Sequence, residues 1–86
     1  MNILTLIIKN QAEFIDFANE QINNYIAKDK YLKDKLTFFK HAKTGCISQT
    51  MILSQIGNSF LLNKKCNATD LKYSEIQEIC GILGGN

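Results

Sequence analysis

The first 44 residues contain neither proline nor glycine, and the whole chain of 86 residues contains no proline. Proline fixes φ and removes a backbone donor, while glycine frees φ, so these two residues punctuate a fold more strongly than any others. A chain that opens without either favours long helices over strands joined by tight turns. The apolar pattern agrees. Asn10-Gln11-Ala12-Glu13 reads as a capping box, with Asn10 as N-cap and Glu13 at the third helical position. Phe14, Ile15, Phe17, Ala18, Ile22, Tyr25 and Ile26 then recur at three- and four-residue spacing, which predicts a helix to about Lys28.

A second helix is expected from Asp29, with Tyr31, Leu32, Leu36, Phe38, Phe39 and Ala42 on its apolar side. Lys40, His41 and Lys43 suit the negative end of its dipole, and Gly45 follows as a stop. The last helix is expected from about Thr69 to Leu83, facing inward with Leu71, Ile76, Ile79, Cys80 and Leu83 and ending at Gly84-Gly85. Two stretches read both ways. Residues 3–8 fit a helix or a buried strand. Residues 46–65 fit one or two helices with Ile47, Met51, Ile52, Ile56 and Phe60 near one face, or a hairpin turning at Gly57-Asn58. The expected fold is an all-α bundle of three to five helices. The alternative is an α+β domain with an N-terminal strand and a hairpin at about 46–64.

At this length the expectation is one domain over 1–86, with a frayed tail at 84–86. Hydrophobic residues make up 45% of the chain, enough for a modest core and against disorder. Self-association would complete so small a core, which keeps a homo-oligomer in view. Cys46, Cys66 and Cys80 are odd in number and widely spaced, so free thiols in a reducing cytoplasm are the expectation rather than a disulfide framework. The apolar run of residues 3–8 is too short for a membrane span and lacks the flanks of a signal peptide. Outside secretion, the sequon Asn67-Ala68-Thr69 has no role.

Charge is unevenly spread. Residues 1–27 carry −2, residues 28–65 carry eight Lys against Asp29 and Asp34 for +6, and residues 66–86 carry −2. Every basic residue is lysine. Lys30, Lys33, Lys40, Lys43, Lys64 and Lys65 in this central belt are the candidate partner-binding residues, with Lys30, Lys33 and Lys40 expected on the helix side away from Leu32, Leu36 and Phe39.

No constellation for catalysis or metal binding emerges. His41 and Cys46 could pair as base and nucleophile, yet nothing supplies an orienting group or an oxyanion pocket. His41 also lacks the neighbouring glycine that a phosphoacceptor histidine uses for close approach. Together with Cys66 and Cys80 these two residues make a legal zinc set, but no two cysteines share a short knuckle. Glu75 and Glu78 suit the start of the last helix, where negative charge is stabilised. No enzyme activity, cofactor or metal is expected.

The lysine belt could meet a phosphate backbone, but without arginine the commonest bidentate guanine contact is missing. A helix-turn-helix fit over Gln49–Lys65 fails, because Leu53 falls where a small residue is needed and Asn58 where an apolar one is. Glu78-Ile79, Ile82 and Gly84-Gly85 resemble the end of the double-glycine leaders removed by bacterial peptide exporters, a likeness of about eight residues that would imply a peptide precursor. A Gly-Gly end is also shared with ubiquitin-like modifiers, whose extended tail differs from the helical pattern here. The reading that best fits the whole chain is a small cytoplasmic, non-enzymatic binding protein. It would act by occupying a macromolecular partner, another protein above all, as inhibitors, immunity proteins, antitoxins or chaperone subunits do, and without a membrane partner. A nonspecific nucleic-acid-associated protein and a leader or precursor are the alternatives.

Overall fold

A computed structural model describes residues 3–29, 34–67 and 71–84. These form five helices and no strand: α1 (Ile3–Lys9), α2 (Gln11–Lys28), α3 (Lys35–Lys43), α4 (Ile47–Asn63) and α5 (Tyr73–Ile82). The fold is an all-α bundle, and both ambiguous stretches are helical, so the strand and the hairpin are overturned. Gly57, the supposed turn, is buried in the middle of α4.

α1 and α2 meet at Asn10, where φ −118° and ψ 38° break the helix. The capping box read there does not form. The Asn10 carboxamide instead donates back to the Leu6 carbonyl at 3.0 Å, closing α1, while Glu13 reaches across to Lys64. An asparagine between two helices can serve either end, and here its side chain joins its own backbone N–H on the Leu6 carbonyl of α1.

Along α2 the i, i+4, i+8 line of Phe14, Ala18 and Ile22 is fully buried. The Phe14 ring meets Phe60 edge-on with centroids 5.0 Å apart, and Tyr25 meets Phe38 edge-on at 5.9 Å, geometries that favour the ring quadrupoles. α2 stops at Asp29, whose backbone is extended. The next helix therefore does not start there. Asp34 is its N-cap, its carboxylate accepting the Thr37 N–H at 2.9 Å. Tyr31 and Leu32, expected on the apolar side, lie outside the described residues, as do Lys30 and Lys33.

α3 buries Phe38, Phe39 and Ala42 but not Leu36, which is 78% exposed. Leu36 lies about 200° around the helix from Phe38, so both cannot face the core. α3 ends in a Schellman turn: Cys46 N–H donates to His41 O at 2.9 Å, Gly45 N–H donates to Ala42 O at 3.1 Å, and Gly45 sits at φ +83°.

α4 contacts all four other helices. Its packed line is Gln49, Leu53, Ile56, Gly57, Phe60 and Leu61, so Ile56 and Phe60 of the expected face are buried while Ile47 and Met51 are not. It closes with a second Schellman turn, in which Cys66 N–H donates to Leu61 O at 2.9 Å and Lys65 N–H to Leu62 O at 3.0 Å. Here the left-handed position, φ +60°, is filled by Lys65.

α5 begins later than expected, at Tyr73, where Glu75 accepts the Lys72 N–H at 2.9 Å. Ile76, Ile79, Cys80 and Leu83 are buried and Leu71 is partly so, as the spacing predicts. Gln77 Nε2 donates to Ala42 O at 2.8 Å and ties α5 to the end of α3.

Candidate functional site

Buried residues of all five helices share one apolar cluster, so the informative residues are those left outside it. The chain carries no Asp or Glu from Lys35 to Thr69, a run that includes Lys35, Lys40, Lys43, Lys64 and Lys65. Among the described residues, Leu36, Ile47, Met51 and Leu62 in the same run are large hydrophobic residues left exposed.

α4 itself has no charged residue in its 17 positions. Its inner half is packed, and its outer half shows Ile47, Ser48, Met51, Gln55, Ser59 and Leu62. Ile47, Met51 and Leu62 fall within an arc of about 60° and are 73%, 56% and 61% exposed. A surface helix normally carries charge on its solvent side. This one offers an uncharged stripe about 22 Å long from Ile47 to Leu62, at 1.5 Å per residue.

The lysines frame that stripe. Lys40 and Lys43 are exposed in the last turn of α3, and four residues of chain hold Lys43 within about 14 Å of Ile47. Leu36 stands one turn before Lys40 on the same face of α3. The expected separation of lysines from Leu36 is thus corrected: an apolar side chain sits in their row. At the other end of α4, Lys64 is half-buried, pairs with Glu13 and lies over the Phe60 ring at 5.6 Å, and Lys65 is exposed. Among the described residues the candidate lysines therefore fall in two groups toward opposite ends of α4, about 25 Å apart, rather than in one continuous row. Among the described residues neither Lys40 nor Lys43 meets a carboxylate.

Beside the stripe, α2 and α4 enclose an open cleft of about 290 Å³. Ile52, Ile56 and Tyr25 line its apolar part, and Gln21, Asn24, Gln55, Ser59 and the charged Lys28 its polar part. Burial first, and then the charge of Asp29 and a hydrogen bond to it, push the Tyr25 phenol above its ordinary pKa, so it stays a donor. Gln55 and Ser59 belong to both cleft and stripe, which makes the two surfaces continuous.

The remaining candidates do not assemble. His41 and Cys46 meet through the backbone, with Cys46 N–H on the His41 carbonyl. Cys46 is exposed, Cys66 half-buried and Cys80 buried; burial raises the Cys80 thiol pKa, with Lys43 opposing. No group of three or more His, Cys, Asp or Glu among the described residues could hold a metal ion. No helix among them is long and apolar enough to cross a membrane. Comparison of the chain with known proteins finds no matching family model, curated protein or solved structure.

The lysine positions at both ends of α4 were readable from sequence, whereas the stripe between them was not. Its available signal was the absence of charge over 17 consecutive helical residues, combined with an inner line on which Gln49 stands in a core position.

Proposed function

We propose that this chain is a small cytoplasmic binding protein that acts by occupying another protein, without catalysing a reaction of its own. The observation that carries this reading is the outer face of α4. Three large apolar side chains stand there in solvent on a helix already fully packed on its other side. Exposed apolar side chains scattered singly are ordinary; a row of them on one uncharged helix face, continuous with a cleft, is the kind of surface that marks an interaction site. The neighbouring lysines would steer encounter and set partner choice more than affinity.

The test is co-purification of the tagged chain from its native cells. The expected result is a stoichiometric protein complex that a M51E/L62E variant loses. Exposed substitutions of this kind change stability by about 0.5 kcal/mol or less, so the variant should keep the wild-type melting temperature. A chain that runs as a clean monomer without a partner, or a complex unaffected by the double variant, would overturn the reading.

A further inference from the structure

Resting on that protein-binding reading, we propose that the occupant of the α4 face is an acidic amphipathic helix of a different protein, apolar in its middle turns and carrying carboxylates toward both ends. The layout of charge selects it. The stripe from Ile47 to Leu62 is uncharged, with Lys40 and Lys43 in the last turn of α3 near its first end, and Lys65 and the Glu13-paired Lys64 following its last. A ligand lying along α4 meets apolar groups on α4 itself and ammonium groups at its margins, near the two ends and at Lys28 across the cleft.

The same layout disfavours the other occupants. A second copy docked through this face would set lysine ends against lysine ends, whether the two α4 helices ran parallel or antiparallel, and like charges brought together at an interface cost affinity. A nucleic acid presents phosphates at even, short intervals, and the 17 uncharged positions of α4 itself offer them no cation. Lipid acyl chains would strip Gln55 and Ser59, in the centre of the stripe, of hydrogen-bond partners. A protein helix can satisfy these two side chains and still fill the apolar ground around them.

Helical form follows from shape. Helices pack along one another at crossing angles near 20° or 50° by seating ridges in grooves. The α2–α4 cleft is such a groove. Its volume of about 290 Å³ is at the lower limit for ligand pockets, so it holds one anchoring side chain above Ile52 and Ile56 rather than a cofactor. Recognition through anchors spaced along one helix face is a recurring mode of peptide binding.

The experiment is a nitrogen-15 NMR titration of the intact chain with two synthetic four-turn helical peptides. Both have the same Leu/Ala middle; one carries Glu and the other Lys in its end turns. The acidic peptide should shift the amides of Ile47, Met51, Gln55 and Leu62 saturably, and the basic one should bind at least tenfold more weakly. K40E/K43E should weaken the acidic peptide at least tenfold without altering the fold, because both side chains are exposed. M51Q keeps the charge and should weaken both peptides by the same factor. Equal binding of the two peptides, or no saturable shift with either, overturns the acidic helix while leaving the broader reading to the co-purification experiment. Saturable shifts at α4 from a 20-base-pair duplex or from phosphatidylglycerol vesicles, with none from the peptides, overturn both. Concentration-dependent dimerisation that M51E/L62E abolishes would replace the acidic helix with a second copy.

Discussion

The two Schellman turns of this fold place different residues in the same backbone conformation, and exchanging those residues should move stability in opposite directions. Gly45 ends α3 at φ +83°, and Lys65 follows α4 at φ +60°. An L side chain in the left-handed region costs about 1–2 kcal/mol, because its Cβ crowds the following carbonyl. Lys65→Gly removes that cost. Part of the gain is offset by glycine's greater freedom in the unfolded chain, about 0.5–1 kcal/mol, leaving a net stabilisation of roughly 0.5–1 kcal/mol. Gly45→Ala imposes the same penalty, and its Cβ would stand 2.8 Å from the Tyr73 hydroxyl. Tyr73 is exposed and its ring can swing, so most of the expected loss of about 1–2 kcal/mol comes from φ. For a domain of this size 1 kcal/mol moves the midpoint by roughly 4–8 °C. Thermal melts by circular dichroism should therefore show Lys65→Gly a few degrees above wild type and Gly45→Ala about 5–15 °C below, with unchanged urea m-values. G45A/Y73F should recover the steric part alone. A Lys65→Gly variant no more stable than wild type would refute the reasoning. The outlier also bears on function, since strain retained in a fold often serves a site: Lys65→Gly should bind the acidic peptide more weakly than wild type although it is the more stable protein.

Gln49 is buried with a side-chain oxygen that has no hydrogen-bond partner, and an unpaired buried polar group costs about 1–3 kcal/mol; Gln49→Met should raise the denaturant midpoint, and a lower midpoint would count against that assignment. Thiol labelling of the native protein should modify Cys46 quickly and Cys66 more slowly, with Cys80 reacting only on unfolding; equal rates for all three would contradict the packing. Burial raises the pKa of Cys80, and burial with Asp29 raises that of Tyr25. The folded state therefore keeps protons that the unfolded chain has lost. Their contribution is full below the ordinary thiol and phenol values and is lost as pH rises from these through the raised values of the folded state, so stability should decline on alkaline titration, less steeply in Cys80→Ala measured against its own neutral-pH value.

The fold class was legible because its signals were local and consistent. The Phe14–Ala18–Ile22 line shows in the spacing of α2, and Gly45 marks the stop of α3. What misled were residues that can serve two structures. Asn10 looks like the N-cap of α2 until α1 is known to be helical, and then its carboxamide belongs to Leu6. Gly57-Asn58 has the composition of a hairpin turn, but Gly57 is buried inside a helix. On α4 the usual correspondence is inverted, since polar Gln49 points inward while Ile47 and Met51 point outward. A search for an apolar face therefore finds Ile56 and Phe60, which are buried, but adds the outward Ile47 and Met51 to them, and that merging hid the candidate site.

That inversion explains why the face can be specialised at little cost to the fold. α4 contacts every other helix through the opposite side, so the bundle draws its stability from Leu53, Ile56, Phe60 and Leu61, and the outer positions are free to vary. Left apolar and uncharged, such a face would invite pairing between copies of the chain. The exposed Lys40, Lys43 and Lys65 toward its ends, with only Lys64 paired to a carboxylate, that of Glu13, make that pairing repulsive and keep it open to a partner of opposite charge. Natural interfaces use the same combination of an attractive centre and a repulsive frame to separate the right partner from the wrong one. On this view the lysines do not form the binding surface by themselves; they decide what may cover the one that α4 provides.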